Sequence, residues 1–228
     1  MIKFEHTEVV GWEHAIRGMR NPLNSWDKSD SGLTVMNPGD VEFGYEPNYE
    51  YIIGSNDLGL MKRLRDAGTD HRKFMRMLTV YVDITAPLYW WKEFDTYKVG
   101  TVANSCSTMH KIHAKEFTLD DFSHEQLDNE EVVWTDSDIG MYNALDVLGV
   151  MIEVLNCCRA RYIKTKDKEY WWQMIQLLPT SYNQKRTVML NYEVLANMYK
   201  SRKNHKLDEW HELCHWIENL PYSELITD

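Results

Sequence analysis

The stretch HRKFMRMLTVYVDITAPLYWWKEFDTYKVGTVANSCS, residues 71–107, decides the fold. From Phe74 to Thr85 its residues alternate, with Met75, Met77, Thr79, Tyr81 and Asp83 on one side and Arg76, Leu78, Val80, Val82 and Ile84 on the other, and β-formers dominate. That spacing predicts a strand, buried over its later part. Pro87 suits the first turn of a helix, and a helix from Pro87 to about Lys98 puts Leu88, Trp91 and Phe94 on one face. A strand thus feeds a helix whose far end carries Lys98, and a polar run, Thr101 to Ser107, follows.

A second stretch, from Leu178 to Trp210, has a similar plan. Leu178-Pro179 closes a helix begun near Lys168, Arg186 to Leu190 alternates as a short strand, Asn191 is a good N-cap, and Tyr192 to Arg202 continues as helix. Around these stretches, Leu58 to Ala67 reads as a helix stopped by Gly68, Ile139 to Ile163 as a long amphipathic helix, and Leu207 to Leu220 as a last helix. Residues 1–59 read as a loop-rich N-terminal segment. Its turn formers gather at Asn21-Pro22, Ser29-Asp30-Ser31-Gly32, Asn37-Pro38-Gly39 and Gly54-Ser55-Asn56-Asp57, with short strands between, as in a flap over a site or an oligomer contact. Phe117 to Asp138 is rich in Asp and Glu and reads as a solvated loop with a short helix; its spacing matches no calcium loop. Helices exceed strands and βαβ regularity is missing, so the expected class is α+β in a single domain, 1–228, with its core in 60–220.

Composition narrows the function. A formal charge of −10 over 228 residues argues against coating nucleic acid, which needs clustered cations to displace counterions, while leaving room for one small anionic ligand. Four cysteines, two of them the adjacent Cys157-Cys158, fit a reducing compartment better than a disulfide framework. Ile2-Lys3-Phe4-Glu5-His6 has no apolar signal core and no run is long enough to span a bilayer, so the expectation is a cytoplasmic protein without membrane partners.

In order and spacing the two stretches resemble the flavin-dependent thymidylate synthases over roughly residues 60–218. In that family a histidine precedes the strand, an Arg-His-Arg triplet lies late in the next helix, a Ser-x-Asn-Glu-x-Ser-x-Arg-Tyr stretch follows, and an Asn-rich helix ending in Arg comes later. Here His71 stands at the histidine and Thr96-Tyr97-Lys98 at the triplet. Thr101, Asn104 and Ser107 fit the next stretch with one residue inserted; without the insertion Cys106 takes the place of the second serine. Asn191, Asn197 and Arg202 match with no gap, and Trp210 falls one position beyond the family's tryptophan.

The resemblance implies a homotetramer with flavin sites between subunits, FAD as cofactor, NADPH and methylenetetrahydrofolate as co-substrates, and dUMP or a related pyrimidine nucleotide as the methylated substrate. It implies cofactor contacts from His71, Thr96, Tyr97, Lys98, Asn191 and Asn197, nucleotide contacts from Lys98, Asn104, Ser107 and Arg202, and Ser107 or Cys106 as catalytic candidates. Such a site wants cations, helix N-termini and amides to hold phosphates and a polar flavin edge. The departures mostly remove positive charge: the triplet's arginines are Thr96 and Lys98, of which only the lysine keeps its charge, its histidine is Tyr97, Ile175 stands near an arginine expected before Leu178-Pro179, and Glu193 replaces an arginine of the late helix. A non-catalytic nucleotide- or flavin-binding homologue is therefore the alternative. A remote one is a zinc-dependent hydrolase, because His211-Glu212-Leu213-Cys214-His215 satisfies His-Glu-x-x-His, although no third ligand of the usual kind follows.

Overall fold

The computed structural model describes residues 2–36, 46–136 and 140–228. The expected turn at Asn37-Pro38-Gly39, Asp138 of the acidic stretch and Ile139 lie outside them. The strands are β1 Lys3–Val10, β2 Gly32–Val35, β3 Tyr49–Ile52, β4 Thr79–Pro87, β5 Val102–Ser105, β6 Val132–Asp136, β7 Gly140–Asn143 and β8 Asn183–Asn191. The α-helices are α1 Trp12–Arg20, α2 Ser55–Asp66, α3 Leu88–Phe94, α4 Thr108–Lys111, α5 Ala144–Thr165, α6 Lys168–Leu177, α7 Tyr192–Arg202, α8 Asp208–Glu218 and α9 Glu224–Thr227. One sheet has the order β1-β4-β8-β5, and β2-β3 and β6-β7 are antiparallel pairs, so the class is α+β. No described helix is long and apolar enough to cross a membrane.

Several boundaries differ from the sequence reading, each for a local reason. The strand starts at Thr79, and Arg72–Arg76 is a 3-10 turn instead. Phe74 and Met75 are both buried, which neighbours on an alternating strand cannot be on one face, and Met77 N–H closes the turn on Phe74 C=O at 2.9 Å. Pro87 ends β4 and caps α3 rather than opening it, and the helix stops at Phe94 with Trp90, Trp91 and Phe94 buried. The long helix begins at Ala144, because Asn143 and Asp146 cap it reciprocally at 2.7 and 3.2 Å, and β7 precedes it. The acidic stretch contains the 3-10 turn Leu119–Asp121, as expected of a short helix, but also the strand β6. The helix expected last, from Leu207 to Leu220, is shorter, Asp208–Glu218, and the short α9, Glu224–Thr227, follows it.

The chain divides into two compact units. One comprises Met1–Glu5, Asp83–Thr96 and Ala103–Thr187. Its core gathers Ile112, Phe117, Phe122, Leu148, Leu155, Cys158 and Met174, with α5 and α6 contributing stripes at helical spacing. Each fully buried large side chain here contributes about 1.5–3 kcal/mol by leaving water.

The other unit comprises His6–Val82, Tyr97–Val102 and Val188–Asp228. Trp12 packs edge-on to Tyr192 at 5.5 Å and against Tyr222 at 5.2 Å, joining α1 to α7 and to the turn before α9. Residues 3–20, expected within a loop-rich segment, instead form β1 and the helix α1; the looser part that follows is held by Asp57, which is fully buried on α2. That carboxylate accepts from Arg20 Nε at 2.6 Å, from the Ser29 and Ser31 hydroxyls at 2.7 Å each, and from Asp30 N–H at 3.1 Å. Asp30 in turn accepts from Asn56 and Asp57 N–H, so it caps α2 from a distance. The approach explains Gly54: a Cβ there would lie 2.1 Å from Asp30 Cγ.

Candidate functional site

Three of the sequence candidates meet in the second unit. Arg202, in the last turn of α7, donates from Nε to Tyr97 Oη at 2.9 Å, and its guanidinium lies 4.4 Å from the Trp210 ring and 5.5 Å from the Tyr97 ring. Tyr97 and Trp210 are themselves edge-on at 6.1 Å, with His205 6.0 Å from Trp210. An arginine held between ring faces keeps its planar fork in a fixed direction. Asn191 caps α7, its side chain accepting Val194 N–H at 3.1 Å. Gly100, at φ +78°, passes so close that a Cβ would meet Asn191 Nδ2 at 3.0 Å and Val194 Cγ2 at 3.1 Å. The chain just after the triplet segment is therefore packed, backbone to side chain, on the start of α7. Lys98 is exposed.

Further along α7, Asn197 lines a cavity of about 400 Å³ with Arg65, Arg72, Lys200 and Lys203. Arg72 reaches Glu193 Oε1 with Nε at 3.1 Å and Nη2 at 3.0 Å; their side chains are 21% and 10% exposed. Glu193 Oε2 and Thr101 Oγ1 are buried and have no hydrogen-bond partner among the described residues. His71, expected at a strand entrance, is instead the exposed N-cap of the 3-10 turn that carries Arg72.

The remaining candidates belong to the first unit. Thr96 donates its hydroxyl to Glu93 C=O at 2.7 Å and so closes the end of α3. Asn104 is exposed on β5. Cys106 is an exposed free thiol whose backbone is pinned by its N–H to Lys185 C=O at 2.9 Å and by Gln184 Nε2 to its C=O at 2.8 Å. Ser107 is half-buried and its Oγ accepts His110 N–H at 3.0 Å. Beside them Arg186 stacks 4.1 Å over Trp91 and pairs with Asp95 at 2.7 Å.

Reading the sequence missed Arg72, Lys200 and Lys203. The lysines had a signal, since Asn197 and Lys200 on α7 and Lys203 just past its end recur at helical spacing; Arg72 had none beyond its place next to His71. The zinc reading finds no support. His211 and His215 are exposed, their Nδ1 atoms lie 3.9 Å from Asp208 and 3.6 Å from Glu218, and among the described residues no group of three or more His, Cys, Asp or Glu is placed to hold a metal ion. Burial pushes the intervening Cys214 thiol up to about 11, away from the thiolate a metal would require.

No protein-family model and no curated protein matches the chain by sequence. Its fold, in contrast, matches solved structures over its whole length. Flavin dependent thymidylate synthase ThyX from Helicobacter pylori, complexed with FAD and dUMP, superposes with a TM-score of 0.64 at 17% identity, covering 100% of this chain and 98% of that one. The UMP/dUMP methylase PolB from Streptomyces cacaoi, bound with 5-Br dUMP, gives 0.56 at 12% identity, covering 100% and 93%. The chain has the flavin-dependent thymidylate synthase fold. At these identities the likeness defines architecture, and the chemistry has to be argued from the residues.

Proposed function

We propose that the protein is a divergent flavin-dependent thymidylate synthase-like enzyme that methylates dUMP or a related pyrimidine nucleotide at C5, using FAD, NADPH and methylenetetrahydrofolate, as a cytoplasmic homotetramer built from single-domain chains. The observation that carries this reading is the Arg202 guanidinium fixed against Tyr97 and Trp210 at the end of α7, in a chain whose fold is that of the synthases. The donor set suits phosphorylated ligands: guanidinium groups at Arg72 and Arg202, ammonium groups at Lys98, Lys200 and Lys203, and the amides of Asn191 and Asn197. The partnerless buried oxygens of Glu193 and Thr101 fit a site that expects polar ligand atoms.

When bound, FAD supplies the redox chemistry. The chain's own residues position. By resemblance, Arg202, steadied by Tyr97 and Trp210, binds a phosphate; His71, Thr96 and Asn197 contact the cofactor; Asn104 and Ser107 contact the nucleotide; Ser107 and Cys106 are the candidates for direct participation at the reacting base. A second reading, a binding homologue without turnover, is favoured by Thr96 and Tyr97, which stand where the family has arginine and histidine and are spent on Glu93 and Arg202.

Two measurements decide. The purified protein is expected to be yellow, with the absorbance band of oxidised flavin, and a colourless protein that takes up no added FAD rejects the flavin reading. With colour present, tritium is expected to leave C5-labelled dUMP or UMP when methylenetetrahydrofolate and NADPH are added; retained flavin without release leaves the binding homologue.

A further inference from the structure

A cavity of about 450 Å³ lies beside the Asp57 clasp, where residues 20–28 meet α2, and the proposed reaction uses none of its lining residues. Its wall from α2 is one helical face, Ser55, Asn56, Gly59, Leu60 and Arg63, and it is closed by Arg20 from the end of α1 and Lys28 from the 3-10 turn Trp26–Lys28. Three cations thus converge, and among the described residues no carboxylate lines the cavity. The two carboxylates of the clasp, Asp57 and Asp30, are spent on Arg20, on two hydroxyls and on backbone N–H groups. Arg20 is only 4% exposed, and its guanidinium is fixed by Nε on Asp57, Nη1 on Ser25 C=O at 3.1 Å and Nη2 on Lys28 C=O at 2.9 Å. Each terminal nitrogen carries two hydrogens, so Nη2 keeps one N–H beyond this set. Gly59 is an independent sign. It sits inside α2, where glycine costs helix stability relative to alanine, yet a Cβ there would meet nothing within 4 Å. No neighbour among the described residues requires the missing side chain, whereas an open floor for a ligand does.

We infer that this cavity is an effector site for a compact oxyanion with two or more negative charges, a phosphoryl or polycarboxylate group. The Lys28 ammonium and the Arg63 guanidinium hold it, the Arg20 N–H, the Ser55 hydroxyl and the Asn56 amide direct it, and Gly59 is its floor. Arginine supplies planar, charge-assisted hydrogen bonds, and lysine adds attraction without geometry. Because Lys28 and α2 belong to the two parts that the clasp joins, an anion between them binds the closed arrangement and stabilises it by mass action. The volume lies within the range of small-ligand sites.

The test titrates the purified full chain with pyrophosphate and with citrate by calorimetry at low salt, and follows the thermal midpoint alongside. At least one of the two anions is expected to bind and to raise the midpoint, and Lys28→Gln with Arg63→Gln to weaken it about tenfold or more, the loss of one or two charged contacts. Both side chains are exposed, so this double variant keeps its fold, which an unchanged midpoint without ligand verifies. Lys164→Gln with Lys168→Gln removes the same charge from α5 and α6 and is expected to change nothing; an equal loss there means bulk attraction and overturns the site. Gly59→Leu fills the floor with a better helix former, so binding is expected to be lost while the unliganded midpoint holds or rises. Full binding in that variant, binding of neither anion by the wild type, or equal binding by the wild type and the double variant each overturns the proposal. A preference for pyrophosphate identifies a phosphoryl ligand, and a preference for citrate a polycarboxylate. Flavin retention is expected to be the same in all these variants, so a protein without flavin rejects the proposed reaction and leaves this site standing.

Discussion

Asp57 and Glu193 are both buried carboxylates of the same unit, and each faces an arginine, yet their surroundings differ in kind. Asp57 has both oxygens occupied, by Arg20, Ser29, Ser31 and Asp30 N–H. Glu193 spends one oxygen on Arg72 and keeps the other buried without a partner among the described residues. A saturated network rigidifies and specifies a conformation; a half-used one costs stability and is kept where something else is meant to arrive. The first clasps residues 20–31 onto the start of α2, and the second faces the basic cavity through Arg72.

The sharpest break of this contrast is Asp57→Asn. The substitution keeps the shape but leaves the Arg20 charge, in a side chain only 5% exposed, without its counterion. A loss of about 3–5 kcal/mol is expected from urea unfolding. Glu193→Gln keeps one acceptor for a more exposed Arg72 and is expected to cost only about 1–2 kcal/mol. Equal losses at the two positions would erase the distinction drawn here.

The same clasp sets an acid dependence. Burial pushes the Asp57 carboxyl up, but hydrogen bonds from Ser31, Ser29, Arg20 and the Asp30 amide together outweigh it and hold the group below its ordinary value. Because the folded value is lowered, the contribution is fully present above the unfolded value of about 3.9 and is lost as pH falls through the folded one. Wild-type stability should therefore drop more steeply below about pH 4 than that of Asp57→Asn, read as urea midpoints at a series of pH values. Parallel curves would remove Asp57 from the acid response.

How far these two regions were legible in the sequence follows from the same contrast. Asn191 as a cap, α7 to its last residue, and α6 ending before Pro179 are local events, written in a few neighbouring side chains, and the structure has them where the sequence puts them. Asp57 was visible only as a turn former, because its partners lie 26 to 37 residues away. Arg72 was hidden because it stands just ahead of the alternating run and its partner Glu193 is 121 residues distant. Tyr97 and Arg202 were each singled out, but nothing in their spacing of 105 residues announced a hydrogen bond between them. Short-range chemistry reads directly; pairings that depend on chain reversal do not.

A smaller effect separates capping from ligand contact at Asn191. Asn191→Ala is expected to cost about 1 kcal/mol, whereas Asn191→Ser keeps an N-cap oxygen and costs a few tenths. Flavin retention then becomes informative in the serine variant, whose helix is intact. Full retention there would make Asn191 a cap alone, and reduced retention at unchanged stability would place its amide on the ligand.

The smallest change asked of the molecule is Tyr97→Phe, which removes one oxygen and leaves the ring beside Arg202. The hydrogen bond from Arg202 Nε is then lost, while the Trp210 face at 4.4 Å still supports the guanidinium. A net loss of about 0.5–1.5 kcal/mol is the usual scale for such a bond, so global stability moves little. If Tyr97 aims Arg202 at a phosphate, that loss falls on the ligand: dUMP affinity is expected to drop about three- to tenfold, since 1.4 kcal/mol is tenfold. A purely structural Tyr97 would reverse the pattern, lowering the unfolding midpoint while leaving affinity intact. Combining Tyr97→Phe with Arg202→Lys sharpens the point, because lysine offers no planar fork to aim. The two losses should then fail to add, and additive losses would mean that tyrosine and arginine act on the ligand independently.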